Sequence, residues 1–318
     1  MTMRTTIFGA LAFLLIGAVA PWMPQWLVSL ATIAFANALV VLGLIILWRT
    51  GLVPFGQALY YAIGAYAVAL LGRYTPVRDV FLVVFAGAIA AGVVAWLIGF
   101  LLARYREIFF AMLSLAMSMI LYGILVKTET LGSTDGFHVQ AGTFLGWRPQ
   151  GTERNIALFW LVLAFSAAAA WLVARYFRSV AGSLTHPIRD NEIRVEFLGV
   201  SVDRLIHLKI VVSGTLAGIG GALAALAVQH VDPQMAYWTT SGGFVFVTIL
   251  AGAGSVAAAF VGSLLFELVR SIAVTLVPGE WQMILGTALL LTILFLPEGL
   301  GSLVGRLRRK RPSPGAAP

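Results

Sequence analysis

Uncharged apolar runs recur along this chain with only short polar connections between them, and that repetition leaves no room for a soluble fold. A bilayer crossing takes about 20 mostly apolar residues. Trp26 to Trp48 is the cleanest run, free of charge and carrying an indole at each end, where such rings prefer the membrane interface. Val80 to Ala103, Ile108 to Val126, Ile156 to Ala174, Leu205 to Val228, Thr239 to Ala253, Ala257 to Val277 and Trp281 to Leu296 repeat the pattern. Ile7 to Ala20, behind Arg4, reads as a first crossing or as a secretory signal with Ala18-Val19-Ala20 as its small-residue end. Gln57 to Leu71 reads as a short third span, preceded by Gly51-Leu52-Val53-Pro54-Phe55-Gly56, which should interrupt a helix at or near membrane depth. The expectation is an all-α, polytopic transmembrane helical bundle of about ten spans. Its third and eighth spans are broken, at Gly51, Pro54 and Gly56 and at Gly252 and Gly254.

With 318 residues, 60% of them apolar and 11% charged, the chain holds those spans as one membrane domain over residues 1–305 and little else. Soluble domains run at roughly 45–50% apolar and about 25% charged. Residues 306–318 form a basic tail. The absence of cysteine excludes thiolate nucleophiles, disulfides and Cys-ligated metals. His138, His186, His207 and His230 lack metal-ligand spacing, and no serine sits in a Gly-x-Ser-x-Gly elbow, so neither a catalytic residue nor a metal site is expected.

The net charge of +8 is distributed unevenly. Fifteen of the 21 Lys and Arg fall on one side of the ten runs, among them Arg49, Arg104, Arg106, Arg175, Arg189, Arg204, Lys209 and the tail Arg306 to Arg311. Five fall on the other side: Arg73, Arg78, Lys127, Arg148 and Arg154. Positive loops stay in the cytoplasm, so both termini are expected there, with the tail free to touch anionic lipid rather than nucleic acid.

Between the sixth and seventh runs lies a charged segment, residues 175–204, whose part from Gly182 to Arg204 reads as one short helix followed by a stop. Thr185 can cap its start, Pro187 is tolerated in a first turn, and Gly199 suits a left-handed end. Ile188, Val195 and Leu198 share an apolar stripe; Arg189, Asp190, Asn191, Glu192, Arg194 and Glu196 crowd the rest. Such a helix is suited to docking on another protein, or lies solvated at the interface. Ser201 can cap the next span, with Asp203 favourable in its first turn. In that span Gly214, Gly218 and Ala222 fall on one face and admit a neighbouring backbone. Glu267 and Arg270, three apart in the ninth run, can pair; a proton relay is the other reading, but no series of acids or histidines accompanies them.

Ile188-Arg-Asp-Asn-Glu192 followed by Glu196-Phe-Leu-Gly199-Val resembles the cytoplasmic segment of the branched-chain amino acid ABC permeases of the LivM type. Gly51-Leu-Val-Pro-Phe-Gly56-Gln57 with Tyr61-Ala-Ile-Gly64-Ala-Tyr66, Thr134-Asp135-Gly136, and Ala251-Gly252-Ala-Gly254-Ser255 are similar to further motifs of that family, in order. His186-Pro187, Val53-Pro54 and Ala258-Ala259 depart from its usual residues. The resemblance implies a permease subunit of the bacterial inner membrane that carries branched-chain amino acids or close analogues such as aromatic amino acids, amides or urea. It implies four kinds of partner: a second permease of LivH type, two ATPase subunits of LivG and LivF type, and a periplasmic substrate-binding protein.

In that scheme Ile188, Arg189, Asp190, Asn191, Glu192, Glu196 and Gly199 would couple to the ATPases. The chain has no Gly-x-x-x-x-Gly-Lys-Ser/Thr loop, so it should bind no cofactor itself, and ATP and Mg would sit on the partners. Gln57 and Tyr61 are candidates for lining the substrate path, or they hydrogen-bond a neighbouring helix. Asp135 could receive the binding protein, or serve only an Asp-Gly turn. The five-span offset of the breaks would fit two inverted repeats. A secondary transporter or channel working without ATPases is the rival class.

Overall fold

The computed structural model describes residues 13–252, 254–277 and 279–295. Within the bilayer a backbone must satisfy its own polar groups, and each apolar run does so by becoming a helix. The helices are α1 Gln25–Trp48, α2 Gln57–Tyr74, α3 Val80–Leu102, α4 Glu107–Lys127 and α5 Gly151–Tyr176. Three short ones come next: α6 Val180–Ser183, α7 Thr185–Asp190 and α8 Glu192–Glu196. Then come α9 Val202–Val228, α10 Trp238–Ala251, α11 Val256–Leu276 and α12 Trp281–Phe295. Among the described residues the strands are β1 Phe137–His138 and β2 His230–Val231, paired antiparallel with Phe137 opposite Val231.

The protein is therefore an all-α, multi-pass membrane protein, and among the described residues six helices, not ten, are long and apolar enough to cross by themselves: α1, α3, α4, α5, α9 and α11. The other runs form shorter helices, Phe13–Trp22, α2, α10 and α12. At 1.5 Å per residue the 14 residues of α10 reach about 21 Å, short of a hydrocarbon core of about 30 Å. Residues Ile7 to Ala12 of the first expected run and the tail Arg306 to Arg311 lie outside the described residues.

α9 stands at the centre, packed against α1, α2 and α3. The expected small-residue face is real: a Cβ on Gly218 would overlap that of Ala91, and one on Gly214 would lie 2.5 Å from that of Ala95, both on α3. A second set of close approaches runs through Gly220 and Gly221. A Cβ on Gly221 would overlap the carbonyl oxygen of Tyr61 in α2, and one on Gly220 would come within 2.6 Å of the Ala36 carbonyl in α1. α9 thus meets three neighbours at backbone distance, the contact by which helices associate where lipid removes the hydrophobic drive.

The two ends of the bundle differ. One, the basic end, gathers the last turns of α1, α3 and α5, the first turn of α9 and the short helices α6 to α8. The opposite end carries the β1/β2 pair and Asp79, which caps α3 by accepting from the N–H groups of Phe81 and Leu82.

Candidate functional site

The charged segment is not one helix but three. Asn191 is extended (φ −164°, ψ 102°), and its side chain accepts from the Arg194 N–H, capping α8 and so ending α7. Thr185 does not cap; its hydroxyl donates back to the Gly182 carbonyl, and Ser179 caps α6 instead. Gly199 ends the segment at φ +80°, as the left-handed stop requires. Ser201 stands at the cap position of α9 without a side-chain cap bond.

The apolar stripe also points elsewhere than expected. Ile188 and Val195 are 1% and 2% exposed, packed in a cluster with Leu47, Leu52, Leu102, Phe110, Val202 and Ile206 from the ends of the spans. Two buried side chains anchor the segment to its own protein and are not available to a partner. Leu198 leaves the stripe and is exposed, together with Ile193 and Phe197 (66% and 86%), so the outward face is apolar as well. Arg189, Asp190, Asn191 and Glu196 share that outward exposure.

Two arginines hold this end together. Arg106, in the turn between α3 and α4, donates from Nε to Glu192 Oε1 at 2.6 Å and from Nη2 to Asp203 Oδ1 at 2.8 Å; Nη1 donates to the Ala103 and Tyr105 carbonyls. Burial works against its charge, but the hydrogen bonds to Glu192 and Asp203 and their negative charge outweigh it, raising the guanidinium pKa. Arg49, at the end of α1, lies 3.9 Å from the Phe177 ring centre and donates to the Gly254 carbonyl at 3.0 Å. Gly51 packs under the Arg189 stem, where a Cβ would lie 3.3 Å from Cγ; the first expected break and the charged segment thus meet. Lys209, counted in the sequence among the loop charges, is fully buried in α9, and its ammonium donates to Thr50 Oγ1 at 3.3 Å.

The two expected breaks fare differently. Residues 51–56 are indeed non-helical and lead into the bundle, with Pro54 and Gly56 buried, so that α2 starts at depth. A Cβ on Gly56 would overlap the Ser114 carbonyl of α4. The Gly252 to Ser255 break is instead a turn at the basic end, where Gly252 at φ +75° stops α10 and Gly254 meets Arg49. The irregular backbone of that half lies before α10, not after it. There Asp232 caps the 3-10 turn Pro233–Ala236, which packs on α2 and α4. A Gly-x-Gly reads as a break, but here glycine is needed only to end a helix at positive φ.

Serines close the seam between these irregular stretches. Ser114 accepts from the Phe55 N–H at 3.0 Å, Ser241 from the Ala58 N–H at 3.0 Å, and Ser118 donates to the Ala236 carbonyl at 2.8 Å. Gln57 Nε2 donates to Ser213 Oγ at 2.8 Å, while its buried Oε1 has no partner among the described residues. Tyr61 is buried beside Phe244, ring centres 5.1 Å apart. The seam includes both path candidates, with Gln57 in a helix-to-helix hydrogen bond. Sequence reasoning missed the serines, although Ser114 and Ser118, four apart on an apolar helix, share a face and were visible in principle.

Glu267 and Arg270 do pair, at 3.5 Å, and Asn37 of α1 donates to the same carboxylate oxygen at 2.9 Å. At the opposite end Asp135 is exposed and accepts from the adjacent Thr134 hydroxyl, while a Cβ on Gly136 would overlap the Val231 carbonyl of β2. Among the described residues no group of three or more His, Cys, Asp or Glu could hold a metal.

Residues 26–294 match the model of a family described as branched-chain amino acid transport system / permease component. The chain is 27% identical to the high-affinity branched-chain amino acid transport system permease protein LivM of Escherichia coli (strain K12), over 94% of this chain and 75% of that protein. It is 25% identical to the corresponding LivH protein of Salmonella typhimurium, over 85% and 92%. Over about half its length it is 27% identical to the autoinducer 2 import system permease protein LsrC of Klebsiella pneumoniae, covering 52% of this chain and 47% of that one. No solved structure matches it.

Proposed function

The chain belongs to the branched-chain amino acid transport system permease family, and from that premise we propose that it is one of two transmembrane permeases of an ABC importer in the bacterial inner membrane. Its cargo on this reading is branched-chain amino acids or close analogues. The observation that carries the ATP-driven part is the two-sided build of residues 180–199. One side, through Ile188 and Val195, is anchored to the ends of four spans; the other turns Ile193, Phe197, Leu198 and the charged Arg189, Asp190 and Glu196 outward.

This end would face the cytoplasm, with both termini, a reading supported by the bias of Lys and Arg. Two ATPase subunits would grip the outward face there, and ATP with its Mg would bind to them, since this chain has no phosphate-cradling loop. The relatives include two kinds of permease, LivM and LivH, which supports a second permease as partner. A substrate-binding protein would dock at the end that carries the β1/β2 pair, near Asp135. Ten crossings remain the proposed topology: α2 and α10 are completed by the irregular stretches 51–56 and 229–237, which are sheltered by neighbouring helices as such backbone must be. Opening of the serine seam around Gln57 and Tyr61 would form the path.

The test is co-expression with the partner ATPases, permease and binding protein, followed by purification and reconstitution. The ATPases should co-purify, Phe197→Asp should reduce their recovery, and leucine, isoleucine or valine should accumulate only with ATP. Accumulation by the chain alone, with no ATPase retained, would instead favour a secondary transporter.

A further inference from the structure

We propose that Arg106 is a positioning residue that converts movement of the clamped segment into movement of the spans. This rests on the reading of that segment as the ATPase contact. α8 has five residues, is separated from α7 by the extended Asn191, and buries the side chain of Val195 against the spans. Its other tie is Glu192, and Glu192 is held by Arg106 rather than turned toward a partner.

The same guanidinium holds Asp203 in the first turn of α9, and the backbone of Arg106 opens α4. One planar fork therefore joins α8, α9 and the turn between α3 and α4, a geometry arginine supplies and lysine does not. Beyond it the route is continuous. α3 and α9 touch at Ala91/Gly218 and Ala95/Gly214, while α4 carries Ser114 and Ser118 to the seam. Without Arg106, a push on Phe197 would be taken up by the bend at Asn191 and would not reach the seam.

The experiment uses the complete importer with its binding protein in proteoliposomes, comparing Arg106→Met, Glu192→Gln, their double variant and Arg106→Lys. Substrate accumulated per ATP hydrolysed, and recovery of the ATPases, are read for each. Arg106→Met and Glu192→Gln should each lower transport per ATP by roughly tenfold, within the usual range of coupling between sites, with the ATPases still bound. The double variant should be no worse than either single one, because both remove the same joint. Arg106→Lys, which keeps the charge but not the fork, should fall between.

A wild-type ratio in Arg106→Met, multiplicative losses in the double variant, or loss of the ATPases from Arg106→Met would each overturn the proposal, the last by showing a merely structural part. Should the wild-type chain itself recover no ATPases, the underlying reading fails and the proposal falls with it. That result is distinct from the variant outcomes.

Discussion

α1 and α3 are equally apolar, yet 89% of the apolar window of α1 is inside the bundle and only 33% of that of α3. α1 is enclosed by α5, α9, α10 and α11, and every residue from Ala38 to Leu47 is buried. α3 meets α9 and α2 through Gly87, Ala91, Ala95 and Gly99 and turns Phe81, Phe85, Ile89, Leu97 and Phe100 outward. Hydropathy places a helix in the membrane, but the size of its residues decides which side faces protein. Lipid is as apolar as leucine, so close approach rather than greasiness selects the partner.

That contrast can be broken at its strongest point first. Gly64→Leu would drive a side chain into the Gly218 carbonyl, and because the obstacle is backbone it should cost upward of about 3 kcal/mol. The expected outcome is loss of folded protein from detergent-solubilised membranes, and normal yield would mean that α2 and α9 are not in backbone contact. Leu42→Ala, fully buried in α1, should cost about 2–5 kcal/mol, seen as a lower unfolding midpoint in detergent. Phe85→Ala on the outer face of α3 should change that midpoint by no more than about 0.5 kcal/mol. The last prediction also sharpens the comparison. A large effect of Phe85→Ala in the assembled importer but not in the isolated chain would mark this face as one covered by another subunit.

Much of this architecture was legible because its causes are local. Apolar runs located the helices, the Gly214 and Gly218 spacing announced a close neighbour, Gly199 announced a stop, and a spacing of three paired Glu267 with Arg270. What was hidden depends on residues far apart. Arg106 meets Glu192 across 86 positions and Asp203 across 97, and no periodicity in either stretch points to the other. The division of the charged segment turned on Asn191, whose side chain caps the start of α8 and so competes with continuation of α7; an amphipathic stripe drawn through it joined residues that face different ways. Gly252 misled for the opposite reason: its positive-φ backbone ends a helix, while Asp232 and Pro233, about twenty residues earlier in the chain, mark the irregular stretch of that half.

Helices of four, six and five residues are too short to persist in water unaided, since nucleation outweighs the few bonds each can form. Whatever shape α6 to α8 present is lent to them by the spans beneath. On the proposed reading a motor that holds this surface would therefore sense the posture of the membrane domain as well as push on it, so that information could pass inward and outward through the same few side chains.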